Sequence, residues 1–100
     1  MDKDLVFQAL ADKTRRALLE RICAQSGQSL AALCQGLKLS RQAVAKHMRV
    51  LEKAELVVSK RDGRARLHYI NPLPFRAIAG RWLRQFEQVK LHDLMPEEDG

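Results

Sequence analysis

The feature that most narrows the folds open to this chain is a pair of strand-like runs, Leu56-Val57-Val58-Ser59-Lys60 and Leu67-His68-Tyr69-Ile70. Between them lies Arg61-Asp62-Gly63-Arg64. An Asp-Gly pair flanked by such runs is a strong hairpin signal. Asn71-Pro72-Leu73-Pro74 ends the hairpin. The segments on either side carry helical rather than alternating periodicity, so the chain is expected to be mainly α with one small β-hairpin.

Leu5, Val6, Ala9 and Leu10 follow helical spacing and predict a short first helix. Asp12 is a good N-cap for a second, about 13–25, with Ala17, Leu18 and Ile22 on its apolar stripe. Ser26-Gly27-Gln28 breaks that helix. Ser29 can cap a third whose face is Leu30, Leu33, Cys34 and Leu37. After the tight Lys38-Leu39 connection, Ser40 caps a fourth, with Val44, Met48 and Leu51 on one buried side. A fifth helix, roughly 75–94, carries Ile78, Trp82, Phe86, Val89 and Leu94. Pro96 and the acidic Glu97-Glu98-Asp99-Gly100 are expected to close the chain as a frayed tail. One hundred residues suit one domain spanning 1–100.

Charge is distributed unevenly over this plan. The chain's formal charge is +6, and the whole excess falls in residues 38–66. That stretch holds Lys38, Arg41, Lys46, Arg49, Lys53, Lys60, Arg61, Arg64 and Arg66 against Glu52, Glu55 and Asp62, while the two ends cancel. A basic patch on so small a domain attracts a polyanion. The outer side of the fourth helix shows Arg41, Gln42, Ala45, Lys46 and Arg49, with no acid until Glu52. An ordinary solvated helix face would mix signs for i,i+4 pairing.

Two short helices joined by a tight turn, the second basic on its outer face, make a helix-turn-helix. The major groove of B-DNA is wide enough for such a helix, so Arg41, Gln42 and Ala45 are expected at base edges, with Lys46 and His47 a turn further in. Arginine suits guanine and glutamine suits adenine. Ser40, Ala43 and Arg49 complete the expected contact set on the helix. Ser40 lies where its hydroxyl or N–H can meet a phosphate. Lys60, Arg61, Arg64 and Arg66 on the hairpin can clamp the adjacent backbone or enter a minor groove. His47 has two readings, a phosphate contact or packing beside Met48.

These residues resemble those of the ArsR-type winged helix-turn-helix repressors. The likeness begins at Phe7-Gln8-Ala9-Leu10-Ala11-Asp12-Lys13-Thr14-Arg15-Arg16 and continues through Leu39-Ser40-Arg41-Gln42-Ala43-Val44-Ala45-Lys46-His47-Met48. It then runs through Val50-Leu51, Ala54-Glu55-Leu56-Val57 and Arg61-Asp62-Gly63-Arg64 to Tyr69, so that it covers about residues 5–72. Lys13 stands where the family usually has proline, a small change in the first turn of a helix. The resemblance implies helices flanking a β-hairpin wing, a homodimer built from the first and last helices, and repression of operators in double-stranded DNA. The metal-sensing cysteine pair of that family would fall at Ser29 and Ala31, and of the ligand set on its last helix only His92 stands here.

No metal site and no cofactor are expected. Cys23, Cys34, His47, His68 and His92 are scattered, whereas a metal wants ligands converging at fixed spacing. Cys23 and Cys34 read as small buried core residues, with a redox switch between their two helices as the alternative. Leu5, Val6, Trp82, Phe86 and Val89 are expected to form the dimer seam. No apolar stretch approaches a membrane span and no signal-peptide pattern opens the chain, so a cytoplasmic place of action is expected. A nucleophile–base set and a phosphate-cradling glycine loop are both missing, which argues against an enzyme. A winged helix that meets RNA or an acidic protein is the rival binding reading.

Overall fold

The computed structural model describes residues 1–94. The expectation for Pro96 and the acidic tail lies outside the described residues. In chain order the elements are α1 (Lys3–Leu10), α2 (Lys13–Ala24), α3 (Leu30–Cys34), α4 (Arg41–Lys53), β1 (Val57–Asp62), β2 (Ala65–Ile70) and α5 (Pro72–Ala77). A π-helical stretch (Ile78–Leu83), α6 (Arg84–Glu87) and a 3₁₀ turn (Leu91–Asp93) follow. This is the mainly helical, hairpin-bearing architecture expected of a winged helix-turn-helix.

Side-chain caps start the helices where the sequence places them. The carboxylate of Asp12 accepts the N–H of Arg15 at 3.0 Å, Ser29 Oγ that of Ala32 at 3.2 Å, and Ser40 Oγ that of Ala43 at 3.1 Å. Each satisfies one of the orphan donors of a first helical turn. Leu18, Ile22, Leu33, Val44, Leu51 and Leu56, one or more from each of α2, α3, α4 and the α4–β1 turn, are fully buried together. Arginines of α2 close the other helix ends. Arg15 donates to the carbonyls of Gln8 and Ala9 at the end of α1, Arg16 to that of Leu10, and Arg21 to those of Leu33 and Gln35.

α4 ends in a Schellman turn. The N–H of Glu55 donates to the carbonyl of Glu52 (2.9 Å) and that of Leu56 to Leu51 (3.0 Å). Glu55 holds the left-handed position at φ 63°, normally a glycine's place. Buried Leu51 and Leu56 are the apolar pair that accompanies such a turn.

The hairpin pairs Val57 with Ile70 and runs antiparallel to Asp62 opposite Ala65. Both strands extend further toward the tip than the expected 56–60 and 67–70. The two-residue loop is Gly63-Arg64, one residue on from the Asp-Gly pair. Gly63 has φ 61° while Arg64 does not have a positive φ, the sign pattern of a type II′ turn. At the base, Gln28 bridges to His68 and adds a third, one-residue strand. Gly27 makes that approach possible: it sits at φ 81°, and a Cβ there would lie 3.3 Å from the Tyr69 hydroxyl.

Four expectations are corrected. The last helix does not run over 75–94; it begins at Pro72, because Asn71 caps it through Leu73 N–H (3.2 Å) and proline at the first position lacks only an N–H that has no helical partner. It ends at Glu87, so Val89 and Leu94 lie outside it. The third helix stops at Cys34, leaving Leu37 in the turn, where its N–H donates to the Cys34 carbonyl. Val6 is 0% exposed, in the core of its own chain, and is therefore unavailable to a dimer seam; Leu5 is half-buried against the same core. Cys23 is exposed rather than a core residue, because the apolar stripe of α2 is centred on Leu18, Leu19 and Ile22; Cys34 is half-buried, and both are free thiols.

Two stability measurements follow from these local features. The N–H of Arg15 bonded to its carboxylate, more than the charges of Arg15 and His47, holds the Asp12 pKa below its ordinary 3.8, against a partly opposing desolvation. A depressed carboxylate stabilises the fold above its unfolded pKa and loses that contribution as pH falls through the folded value. Asp12→Asn should therefore lower the melting temperature at pH 7, with the gap to wild type closing as pH falls below 3.8; a gap independent of pH would refute the ionic origin. Glu55→Gly should raise stability by about 0.5–1 kcal/mol in urea titrations by relieving the left-handed backbone. A loss would mean that the Glu55 side chain itself contributes.

Candidate nucleic-acid interface

α4 divides its residues cleanly between core and exterior. Val44, Met48 and Leu51 are buried, and Arg41, Gln42, Lys46 and Arg49 are exposed around the half-buried Ala45. Because α3 and the Gln28 bridge hold the hairpin base beside α4, a cleft of about 410 Å³ opens between the helix and the hairpin. Arg41 and Arg49 line it from the helix, Arg64 and Arg66 from the hairpin, and Glu52 is its one carboxylate. Of the sequence-expected contacts, Arg41, Ala45 and Arg49 on the helix and Arg64 and Arg66 on the hairpin face this one groove, whereas Ser40, Gln42, Ala43, Lys46, His47, Lys60 and Arg61 do not line it.

The hairpin cations are arranged without acidic partners. Arg61 stands directly opposite Arg66 in the strand register, a like-charge pair that destabilises a ladder unless something negative meets it. Arg66 is steadied by donation to Ser59 Oγ at 2.8 Å, and Lys60 lies 5.7 Å above the centre of the Tyr69 ring. Among the described residues, no lysine or arginine has a carboxylate oxygen within 4.0 Å; the charge contacts at that range all involve histidine. Apart from the Arg66 donor held by Ser59, the guanidinium groups of the cleft can take phosphate oxygens, the geometry for which arginine is best suited.

His47 is placed apart from this surface. Its Nδ1 lies 3.3 Å from the Arg15 guanidinium and 3.9 Å from the Asp12 carboxylate, so the ring faces the junction of α1 and α2. The sequence reading, which gave it a phosphate contact or packing beside Met48, did not foresee these contacts with Arg15 and Asp12. Residues that the sequence reading missed also line the cleft: Ser29 and Ala31 at the start of α3, Glu52, Ala65 and His68. For His68 a signal existed, since it alternates with Ile70 opposite the inward Val57 of β1. The residues at the two family cysteine positions, Ser29 and Ala31, border the cleft with a hydroxyl and a methyl. Among the described residues, no three His, Cys, Asp or Glu side chains are grouped to hold a metal ion.

A second surface is apolar. Trp82 is half-buried between Phe7 of α1 and Phe86, with ring centres 4.9 Å from each. Beyond it Phe86 is 56% and Val89 62% exposed, with Leu83 and Leu91 exposed beside them. No described helix is long and apolar enough to cross a membrane.

Comparison with known proteins agrees with this geometry. Residues 10–60 match the model of a helix-turn-helix domain family. The chain is 38% identical over 88 residues to the HTH-type transcriptional regulator YuzN of Bacillus subtilis, covering 82% of this chain and 96% of that protein. Among solved structures, the ArsR family transcriptional regulator RHA00566 superposes with a TM-score of 0.74 at 29% identity, covering 87% of this chain and 92% of the other. The homodimeric winged helix-turn-helix DNA-binding domain Mb0332 from Mycobacterium bovis superposes with a TM-score of 0.66 over 84% of this chain and 78% of its own, and at 21% identity the likeness is one of fold. The chain belongs to the ArsR-type winged helix-turn-helix transcriptional regulators, a family of DNA-binding proteins.

Proposed function

We propose that this regulator acts as a homodimeric repressor, placing α4 of each copy in successive major grooves of an imperfect palindrome. The observation that carries the reading is the cleft between α4 and the hairpin, with four arginines and no carboxylate paired to any of them. Arg41, Gln42 and Ala45, near the N-terminal end of α4, read base edges, with Lys46 beside them. Ser40, Ala43 and Arg49 border the phosphates, and Lys60, Arg61, Arg64 and Arg66 clamp the flanking backbone. A two-fold arrangement sets the half-sites about 34–36 Å apart. Repression follows from occupying a promoter, in the compartment that holds the genome. The exposed Phe86 and Val89, the half-buried Trp82 and the partly buried Leu5 supply an apolar seam for the second copy. The homodimeric state of the Mycobacterium bovis domain supports that assembly.

The function is tested by titrating the protein against a labelled duplex from upstream of its own gene, beside a shuffled duplex, at about 150 mM salt. Preference for the native duplex is expected. Equal, weak binding to both, with tight binding to RNA or an acidic protein, would overturn the reading. Within that assay Arg41→Ala and Gln42→Ala should each narrow the preference by about 1–3 kcal/mol. Arg64→Ala should weaken both duplexes alike and reduce the salt slope by about one. If Arg64→Ala altered base preference instead, the division between helix and hairpin would be wrong.

Light scattering should give about twice the 11.4 kDa chain mass. Phe86→Glu should shift the protein toward monomer and weaken duplex binding. A wild-type monomer with full affinity would rule out the dimer.

A further inference from the structure

We propose that His68 is a proton-linked positioning residue that ties the hairpin to α4 and so sets the width of the DNA-binding cleft. The inference rests on the DNA-binding reading above. His68 is 5% exposed, a buried imidazole at the floor of a basic cleft, and the contacts so far assigned to DNA make no use of it.

Its two ring nitrogens face unlike partners. Nδ1 lies 2.8 Å from the carbonyl oxygen of Gln28, and that oxygen also accepts the backbone N–H of His68 at 2.9 Å. A carbonyl oxygen only accepts, so Nδ1 must carry a hydrogen. The neutral ring is thereby fixed in one tautomer, with a bare lone pair on Nε2. That lone pair is directed to the neighbourhood of Glu52, whose carboxylate oxygen lies 3.6 Å away, beyond hydrogen-bond length. Two acceptors at that distance offer each other nothing. A proton on Nε2 converts the pair into a charge-assisted N–H···O contact, which is drawn shorter than the neutral spacing.

The consequence is mechanical because of where each residue is fixed. Glu52 stands on α4 one helical step from Arg49, which lines the cleft. His68 stands on β2 opposite Ser59, next along the same strand face from Arg66. Drawing Nε2 to Glu52 draws the hairpin base to the helix that carries Arg41 and Arg49.

The charges facing the ring set the direction of the coupling. From α4 come Glu52, which favours the proton, and Arg41 and Arg49, which oppose it. From the hairpin come Arg64 and Arg66, which also oppose it. The start of α3 adds only Ser29, Leu30 and Ala31, and α2 places Glu20 and Cys23 beside Ile70 at the far end of β2. Phosphates entering the cleft neutralise the four arginines and leave Glu52 to act. DNA binding and proton uptake at Nε2 therefore favour each other, and affinity rises as pH falls.

Two measurements test this. The first is duplex affinity by fluorescence anisotropy at constant ionic strength from pH 8 to pH 6, the range in which imidazoles ordinarily gain a proton. Wild type should tighten by about fivefold or more, within the tenfold per pH unit that one proton allows. Glu52→Gln and His68→Asn, the latter keeping a donor toward Gln28, should change by less than about twofold over the same range, whatever their absolute affinity. His47→Asn should keep the wild-type slope. The second measurement needs no DNA: nitrogen NMR of the histidine rings in the free protein. The ring of His68 should carry its neutral proton on Nδ1 and should take up its second proton at lower pH in Glu52→Gln than in wild type. A wild-type slope retained in Glu52→Gln, or a His68 ring that titrates alike in both proteins, overturns the proposal. Failure of wild type to prefer its duplex at any pH would instead defeat the DNA-binding reading, and the ring titration would still decide the coupling.

Discussion

Burial of one side of α4 is the constraint on which the remaining structure depends. Val44, Met48 and Leu51 repeat at helical spacing, and their removal from water fixes the rotation of the helix about its axis. Once that rotation is set, Arg41, Gln42, Lys46 and Arg49 must face outward. The same burial fixes the end of the helix. Leu51 contributes to the core through its side chain and through the carbonyl that accepts the N–H of Leu56, so the chain turns immediately into β1. The hairpin is positioned by the core that orients the helix, which is why a cleft forms between them with arginines on both sides.

Polar groups keep this small core closed at its edges. Helices as short as α1 and α3 leave many terminal carbonyls relative to the bonds they make. Three arginines of α2 take several of them, Arg15 and Arg16 on α1 and Arg21 beyond α3. Their charge is thereby committed to the fold, in contrast to the arginines of the cleft. Among the described residues, no side-chain nitrogen or oxygen that is itself shut off from solvent lacks a hydrogen-bond partner; His68 Nε2, which borders the cleft, is not among those atoms. Among the described residues the arginines thus divide by position: those of α2 bind backbone carbonyls of the same chain, and those of α4 and the hairpin have no carboxylate within 4.0 Å and remain available to an external anion.

Much of this was legible because it is local. Asp12, Ser29 and Ser40 announce helix starts within three residues of themselves, and the structure uses all three as caps. The basic side of α4 was legible for the same reason, since composition along one helix reports its exterior once the apolar stripe is known. What escaped depended on contacts distant in sequence or on punctuation with two meanings. Pro72 breaks a preceding strand and equally begins a following helix, and only the Asn71 cap decides between them. Val6 lies on an apolar stripe that would suit a core or a dimer, and periodicity does not name the partner. The Gln28–His68 bridge joins segments forty residues apart and leaves no local trace, so although strand alternation marks His68 as inward, its place in the cleft did not follow from spacing.

The C-terminal helix shows the same chain solving a problem incompletely. Its first half is anchored, with Pro74 and Ile78 buried and the Trp82 ring packed at a tilt against Phe7. Its second half, α6, buries nothing, although Phe86 meets Trp82 edge to face and leaves an apolar edge in solvent. A π-helical stretch lies where the anchored half passes into the exposed one, and such segments recur where a helix serves something besides packing. An aromatic ladder that begins in the core and runs out onto the surface is costly for an isolated chain, because each step along it buries less than the one before. In the homodimer proposed above, a second copy placed against the ladder would restore that burial. It would also set two α4 helices in a fixed relation, so the apolar edge and the basic cleft become parts of one requirement: the first would hold the pair at a fixed spacing, and the second would meet the DNA.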